Sequence, residues 1–166
     1  KSHLKFSRLN HIFISHLHGD HCFGLLGLIS TLNLLGRTAE LHIHSPKGLE
    51  TLLTPMLDFF NRQMTYKILF HEFDTKEPMQ IYEDRSLTVT TIPLRHRMPC
   101  CGFLFAEKRR PNHIIREMVD FYQVPVYELN RIKNGADYVT PEGKTVSNNL
   151  LTRPSAPSRS YAYCSD

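Results

Sequence analysis

The order of apolar and polar residues near the start of the chain predicts a strand, a turn and a helix. The run LNHIFIS at residues 9–15 is typical of a strand buried on both faces. Beyond a polar stretch, apolar side chains recur with the helical repeat of about 3.6 residues. We expect this helix to end at Gly36. Its apolar positions are Leu25, Leu28, Ile29, Leu32 and Leu35.

A second strand and a second helix are predicted next. Residues 39–44, AELHIH, alternate as in a half-buried strand. Ser45 and Pro46 are suited to be the N-cap and the first-turn proline of a helix that covers LETLLTPMLDFF. We expect Pro55 to kink or divide this helix, because proline has no backbone N–H to donate.

Three further runs are typical of strands. They cover residues 66–73, 86–94 and 102–107, and SLTVTTIPL is the most β-like stretch among them. The first two-thirds of the chain therefore predict a mixture of helices and strands.

The pattern changes at Lys108. The segment KRRPNHIIREMVDFY predicts an amphipathic helix, TPEG at residues 140–143 predicts a turn between two short strands, and RPSAPSRS is typical of a connector. The apolar content of this region looks too thin for a separate core. We therefore interpret residues 108–160 as an arm and connector inserted into a core formed by residues 1–107 and 161–166. The final YAYCSD predicts a short strand.

Composition excludes several classes of protein. Of 166 residues, 41% are hydrophobic and 22% are charged, as in globular domains. The longest apolar run, from Phe23 to Leu35, is interrupted and too short to cross a bilayer. Four cysteines without CxxC spacing predict reduced thiols and a cytoplasmic protein. The start of the sequence predicts a piece of a longer chain, and the net charge of +4 is compatible with a polyanionic partner.

The stretch SHLHGDHCFG, residues 15–24, carries the candidate chemistry. His16 and His18 are two residues apart at a strand end, so their side chains point to the same side. Gly19 permits a sharp turn, after which Asp20 and His21 point towards a second position. Histidines with carboxylates favour zinc, or another first-row ion such as manganese, over calcium or magnesium. The spacing therefore predicts a site for two metal ions.

The longer stretch SHLHGDHCFGLLGL resembles the metal-binding signature of the metallo-β-lactamase superfamily. Together with PLRHRMPCCGF and YAYCSD, it resembles the ribonuclease Z family of endonucleases, which trim the 3′ side of precursor tRNAs. The resemblance implies an α+β fold, a four-layer αββα sandwich that is incomplete at both ends here. It also implies a zinc centre in which His16, His18 and His96 hold one metal, Asp20 and His21 hold the other, and Asp166 bridges the two.

The same resemblance implies an activity. It implies zinc-dependent phosphodiester hydrolysis on precursor tRNA by a cytoplasmic homodimer, with Asp20 also acting as the catalytic base. A further metal-binding histidine and a catalytic histidine of the family lie outside this sequence. The arm corresponds in place to the family's tRNA-binding arm, and its cations are expected to contact backbone phosphates. These cations are Lys108, Arg109, Arg110, Arg116, Arg131, Lys133 and Lys144.

Other interpretations are open at this point. Acids are interleaved with cations along the arm, which is also typical of a solvated charged surface. The same fold and metals serve hydrolases of small phosphodiesters or thioesters. A third hypothesis is a metal- or RNA-binding fragment without turnover. His42 and His44 alternate on one strand without an acidic neighbour, so we interpret both as residues without a role in a site, and His71 as a surface or structural residue.

Overall fold

The computed structural model describes residues 8–60 and 63–165, and its first sheet has three parallel strands. These strands are β1 (His11–Phe13), β2 (Leu41–Pro46) and β3 (Ile68–Phe73). Their order is β1-β2-β3, so β2 is central. In this register His44 of β2 lies opposite both Phe13 and His71. The side chains of these three residues therefore form one row across the sheet.

Helices connect the three strands, because parallel neighbours need a crossover rather than a tight turn. Between β1 and β2 lie α1 (Gly19–Cys22) and α2 (Gly24–Leu34), and between β2 and β3 lies α3 (Leu49–Phe60). Apolar side chains of these helices pack against the first sheet in one buried cluster. Its fully or nearly buried members include Leu25, Ile29, Leu32, Leu41, Ile43, Leu49 and Leu53.

The second sheet contains four strands. They are β4 (Gln80–Glu83), β5 (Leu87–Leu94), β6 (Cys100–Glu107) and β11 (Ser160–Tyr163). Their order in space is β11-β6-β5-β4, and β4 and β5 are antiparallel. Gly102 of β6 has no room for a side chain, since a Cβ there would lie 2.6 Å from the carbonyl oxygen of Tyr163. Glycine thus permits the close approach of β11 to β6.

The two sheets face each other across a second apolar cluster. The ring of Phe13 lies 5.6 Å from the ring of Phe103 and 5.4 Å from that of Phe105, measured between centroids. Val89 and Cys101 are fully buried in the same cluster. A helical layer, the parallel sheet and the second sheet therefore stack on one another, and the predicted α+β class is confirmed.

Several predicted elements are confirmed with shifted ends. The strand expected at residues 9–15 is shorter, and α2 ends at Leu34, two residues before Gly36. The φ angle of Gly36 is +71°, in the left-handed region that favours glycine. Pro55 lies inside α3 and does not divide it.

The predicted cap and first-turn proline of α3 are wrong, whereas the predicted stretch LETLLTPMLDFF is confirmed as helix Leu49–Phe60. Residues 45–46 are the end of β2, and the helix begins at Leu49. Its first turn is capped by a residue from a neighbouring strand: the backbone N–H groups of Gly48 and Glu50 donate to Oε1 of Glu72, at 2.9 and 3.1 Å. Such a cap is invisible to a local sequence pattern, because the acceptor lies 24 residues away from Gly48.

The chain divides into two compact units, one of residues 1–105 and 160–166 and one of residues 106–159. The expectation that the inserted segment lacks a core is wrong, because six apolar side chains from its short elements meet in a buried cluster. The Asn148 side chain supports this cluster by donating from Nδ2 to the carbonyl oxygens of Ile132 and Ala136. The buried members are Val119, Val124, Ile132, Tyr138, Val146 and Leu151.

The elements of the second unit are short. They are β7 (His113–Ile114), α4 (Arg116–Phe121), a 3₁₀ turn (Val126–Glu128), α5 (Leu129–Lys133), β8 (Tyr138–Val139), β9 (Thr145–Val146), α6 (Asn148–Leu151) and β10 (Thr152–Arg153). The predicted amphipathic helix is thus limited to α4, because Ile114 pairs with Thr152 in a two-stranded ladder. The turn predicted at residues 140–143 is confirmed between β8 and β9. Among the described residues, no helix is both long and apolar enough to cross a bilayer.

Candidate metal centre

The segment that follows β1 is held between the two sheets. The N–H of Ile14 donates to the carbonyl oxygen of His44 at 2.9 Å, which continues the contact with β2. The N–H of Cys101 in β6 donates to the carbonyl oxygen of Ser15 at 3.0 Å. His16 comes next and is completely buried. Backbone hydrogen bonds from both sheets therefore fix the position of the first histidine of the motif.

The chain then turns into α1 at His18. The carbonyl oxygen of His18 accepts hydrogen bonds from the N–H groups of His21 and Cys22, at 3.0 and 3.2 Å. Cys22 is fully buried in the cluster under α2, as expected from its place on the helix, and this burial raises the pKa of its thiol. No disulfide joins the four cysteines, which are at the described positions 22, 100, 101 and 164. The strand, turn and helix expected for the motif are thus present.

Three histidines converge at this turn. One ring nitrogen from each of His16, His18 and His96 lies within 4.8 Å of the other two. The closest pair is Nδ1 of His18 and Nε2 of His96, at 3.1 Å. His96 reaches the cluster from the loop after β5, across 78 residues of sequence. The fold therefore brings together the three residues expected to hold one metal.

The donor set of these histidines fits a divalent first-row metal. Nε2 of His16 is buried and has no hydrogen-bond partner among the described residues. A buried polar atom without a partner costs free energy unless a ligand satisfies it. Burial, followed by the neighbouring histidines, lowers the pKa of His16, which favours the neutral form that can bind a metal. Three imidazoles are also a common ligand set for zinc.

Asp20 and His21 lie beside this group. The ring of His21 lies 4.0 Å from that of His16, and Nε2 of His21 lies 3.5 Å from Oδ2 of Asp20. The Asp20 side chain is 80% exposed. These two residues are therefore near the three-histidine group without belonging to it. Asp166, expected to bridge two metals, lies outside the described residues.

One residue of this site was missed in the sequence. The hydroxyl oxygen of Ser15 lies 3.0 Å from Nδ1 of His16, and both residues are buried. The available signal was a polar residue at the end of a run that should otherwise be apolar. Its side chain is the hydrogen-bond partner of the buried histidine ring.

The arm cations are spread over the second unit, and several contact acids. Three arginines form ion pairs: Arg110 with Glu107 at 3.2 Å, Arg116 with Asp120 at 3.2 Å and Arg131 with Glu128 at 2.8 Å. Glu107 also accepts hydrogen bonds from the backbone and side chain of Arg159, which lower its pKa. Lys108 is half-buried, whereas Arg109, Lys133 and Lys144 are exposed. The interleaved acids are thus partners of some of these cations.

Comparison with known proteins places these features in a family. Residues 2–115 match the family model described as the beta-lactamase superfamily domain. All 166 residues align with proteins named ribonuclease Z from Bacteroides fragilis, at 79% identity, and Bacteroides thetaiotaomicron, at 78%. The alignments cover 55% and 52% of those relatives, so the chain spans about half their length.

A solved structure is also similar. The crystal structure of the short form of human tRNase Z matches with a TM-score of 0.58 and 30% sequence identity. The match covers 66% of this chain and 49% of the human one. It is therefore a likeness in both fold and sequence over part of each protein.

Proposed function

Because this chain belongs to the metallo-β-lactamase superfamily, we propose that it is the metal-binding part of an endoribonuclease that cuts precursor tRNA on the 3′ side. The observation that carries this proposal is the convergence of ring nitrogens from His16, His18 and His96. Among the described residues, the buried Nε2 of His16 has no hydrogen-bond partner. The identity of 79% to a ribonuclease Z over the whole chain supports the choice of substrate.

In this proposal the site holds two zinc ions when the protein is complete. His16, His18 and His96 would hold one ion, Asp20 and His21 would hold the other, and Asp166 would be a ligand of both. When bound, the metal supplies Lewis acidity, which lowers the pKa of water and offsets negative charge on the phosphodiester. The exposed carboxylate of Asp20 orients the attacking water and accepts its proton. The buried ring of His16 keeps its ligand atom in place before substrate arrives.

The second unit serves in this proposal as the tRNA-binding arm. Its exposed cations Arg109, Lys133 and Lys144 are suited to contact backbone phosphates. Such contacts position a nucleic acid without reading its sequence. Lys108, Arg110, Arg116 and Arg131 extend the same set, although the three arginines share their charge with neighbouring acids. An arm of this kind has a use on a folded RNA and none on a small phosphodiester or thioester.

A homodimer in the cytoplasm completes the proposal. Apolar side chains at the ends of α2 and α3 support a subunit interface, because large exposed apolar patches often mark contact surfaces. Leu34 and Phe59 are 86% and 69% exposed.

The proposal is tested by cleavage of a precursor tRNA with a 3′ extension, using the complete natural protein. We expect His16→Ala to lose metal and cleavage but to retain most tRNA binding. His113→Ala, an exposed histidine of the second unit, is the matched control and should behave like the wild type. Cleavage by the His16 variant at the wild-type rate would contradict the proposed centre. Turnover of a small phosphodiester with no action on the precursor would contradict the proposed substrate.

A further inference from the structure

The residue before the first metal-site histidine is fixed on two sides. Ser15 is only 4% exposed, and its carbonyl oxygen accepts the N–H of Cys101 at 3.0 Å. Its hydroxyl oxygen lies 3.0 Å from Nδ1 of His16. The backbone contact to β6 fixes the main chain of Ser15 beside the imidazole of His16.

The hydrogen bonds of His16 depend on the position of one proton. A neutral imidazole carries a proton on one nitrogen and a lone pair on the other. If Nε2 carried the proton, a buried N–H would have no acceptor among the described residues, and that nitrogen could not bind a metal. If Nδ1 carries the proton, it donates to the Ser15 hydroxyl oxygen, and the lone pair of Nε2 is free.

The arrangement with the proton on Nδ1 is the one that would let His16 bind a metal together with the neighbouring histidines. The ring centroids of His18, His21 and His96 lie 4.9, 4.0 and 5.0 Å from that of His16. Nε2 is the ring nitrogen of His16 left without a partner, whereas Nδ1 is in contact with Ser15. Among the residues that the structure describes, the proton therefore has an acceptor only on the Ser15 side of the ring.

We infer that Ser15 is a positioning residue: its hydroxyl oxygen accepts the Nδ1–H of His16 and so keeps Nε2 unprotonated as a metal ligand. The inference rests on the metal centre of the proposed function. Hydrogen bonds from the second nitrogen of a metal-binding histidine fix the tautomer and the ring orientation, and their loss typically weakens metal affinity by about 10- to 100-fold.

The test compares Ser15→Thr with Ser15→Val in the complete natural protein. These two replacements have nearly the same shape and differ in the hydroxyl group. Cobalt(II) titration, followed by visible absorption, measures metal affinity and reports on the ligand geometry. We expect the threonine variant to bind cobalt like the wild type, and the valine variant to bind about 10- to 100-fold more weakly. Ser15→Ala repeats the loss of the hydroxyl if the valine variant does not fold.

A second readout is the tautomer of His16 in the metal-free protein, measured by nitrogen NMR of the imidazoles. The wild type and Ser15→Thr should carry the proton on Nδ1, and Ser15→Val should not keep this preference. Ser30→Ala is the control for loss of a serine hydroxyl, since Ser30 Oγ donates to the Leu26 carbonyl oxygen in α2. Equal cobalt affinity and an unchanged tautomer in the valine or alanine variant would overturn the inference.

Cleavage of precursor tRNA is measured separately on the wild type. One outcome is that the wild type binds cobalt and cuts the precursor, while Ser15→Val changes neither the cobalt affinity nor the tautomer of His16. This outcome contradicts the role of Ser15 and leaves the proposed function standing. A wild type that binds cobalt without cutting the precursor contradicts the proposed function. In that case the comparison of Thr and Val at position 15 still decides the role of Ser15.

Discussion

Nδ1 of His11 lies 3.2 Å from Nε2 of His44, a contact that needs one proton shared between two imidazoles. Beside this pair, Nδ1 of His42 lies 2.9 Å from Nε2 of His71. The rings of His11 and His42 are stacked at 4.6 Å, and those of His44 and His71 at 4.8 Å. We call these four residues the histidine block. The block packs against Tyr82 of the second sheet, whose ring lies 4.4 Å from that of His11.

The histidine block predicts that the protein loses stability in mild acid. Burial is the main cause that lowers the pKa of His44 to about 4, and it also lowers the pKa values of His11 and His71. An unfolded histidine has a pKa near 6.5, so the unfolded chain binds more protons below that pH. Stability is therefore complete above about pH 6.5 and falls as the pH decreases towards about 4.

The other ionisable groups facing the block are Asp84 and Tyr82. Hydrogen bonds from the backbone N–H groups of Ser86 and Leu87 lower the pKa of Asp84 to about 2, so this carboxylate stays charged throughout the window. Its charge raises the pKa of His11 and offsets only part of the lowering.

The measurement is the urea concentration at the midpoint of unfolding, determined for the metal-free protein at several pH values between about 7 and about 4.5. This range includes the ordinary histidine pKa of about 6.5. We expect His44→Gln to flatten the decline, because one titrating ring is removed. His113→Gln, at an exposed site outside the block, should leave the decline unchanged. A decline in the His44 variant as steep as in the wild type would show that another group causes the acid sensitivity.

Gly102→Ala is predicted to separate β6 from β11. A Cβ at this position would lie 2.6 Å from the carbonyl oxygen of Tyr163 and 2.7 Å from Sγ of Cys164. We expect a loss of about 1–3 kcal/mol in the free energy of unfolding, as for other overpacked sites. Because Asp166 follows β11 in the sequence, metal content should also fall. Unfolding in urea and metal analysis measure the two effects.

Gly27→Ala is the matched control for the glycine substitution. Gly27 lies in α2 with open space around its Cα, so alanine should raise stability by up to about 1 kcal/mol. Equal stability of the Gly102 and Gly27 variants would contradict the close approach of the two strands.

Ile132→Ala is predicted to loosen the second unit without removing metal. Ile132 is fully buried in the cluster of that unit, and a Leu or Ile truncation in a core typically costs about 2–5 kcal/mol. Hydrogen exchange of residues 106–159 should increase, while metal content stays at the wild-type level. Val126→Ala, at a side chain that is 82% exposed, should change neither quantity. Unaltered exchange in the Ile132 variant would argue against a cooperative core.

Arg109→Ala and Lys133→Ala are predicted to weaken binding of precursor tRNA more than Arg116→Ala. Arg109 and Lys133 are exposed and have no ion pair within residues 8–60 and 63–165, whereas Arg116 is paired with Asp120. In a plot of the logarithm of affinity against the logarithm of salt concentration, each lost phosphate contact should reduce the slope by about one. Binding titrations at several salt concentrations measure this slope. Equal slopes for all three variants would point to a solvated charged surface instead.

The turn at residues 16–21 could be predicted because the sequence signals for it are adjacent along the chain. A short apolar strand, a glycine and an apolar helix follow one another around the histidines, and the structure has these elements in that order. The cap of α3 could not be predicted, since Glu72 supplies it from β3. The expectation for the second unit failed because its core residues are distributed over very short elements.

The histidine block shows the same limit. The alternation of His42 and His44 on one strand is visible in the sequence, but it predicts no contact between these residues and other histidines. The parallel register that sets His11 and His71 beside them is a property of the sheet. Side chains from three strands meet there, and nothing in the spacing along the chain reports their distance.

The buried Nε2 of His16 has a consequence for how the protein would be maintained in a cell. An ion held by that nitrogen together with His18 and His96 binds the folded state more tightly than the unfolded chain, so the population of folded molecules rises with the supply of the ion. In zinc-poor growth medium we expect faster proteolytic turnover of the protein, and supplementation should restore its abundance without new synthesis of its messenger RNA. For the proposed zinc centre, nutrient availability would then set the number of folded molecules in the cell.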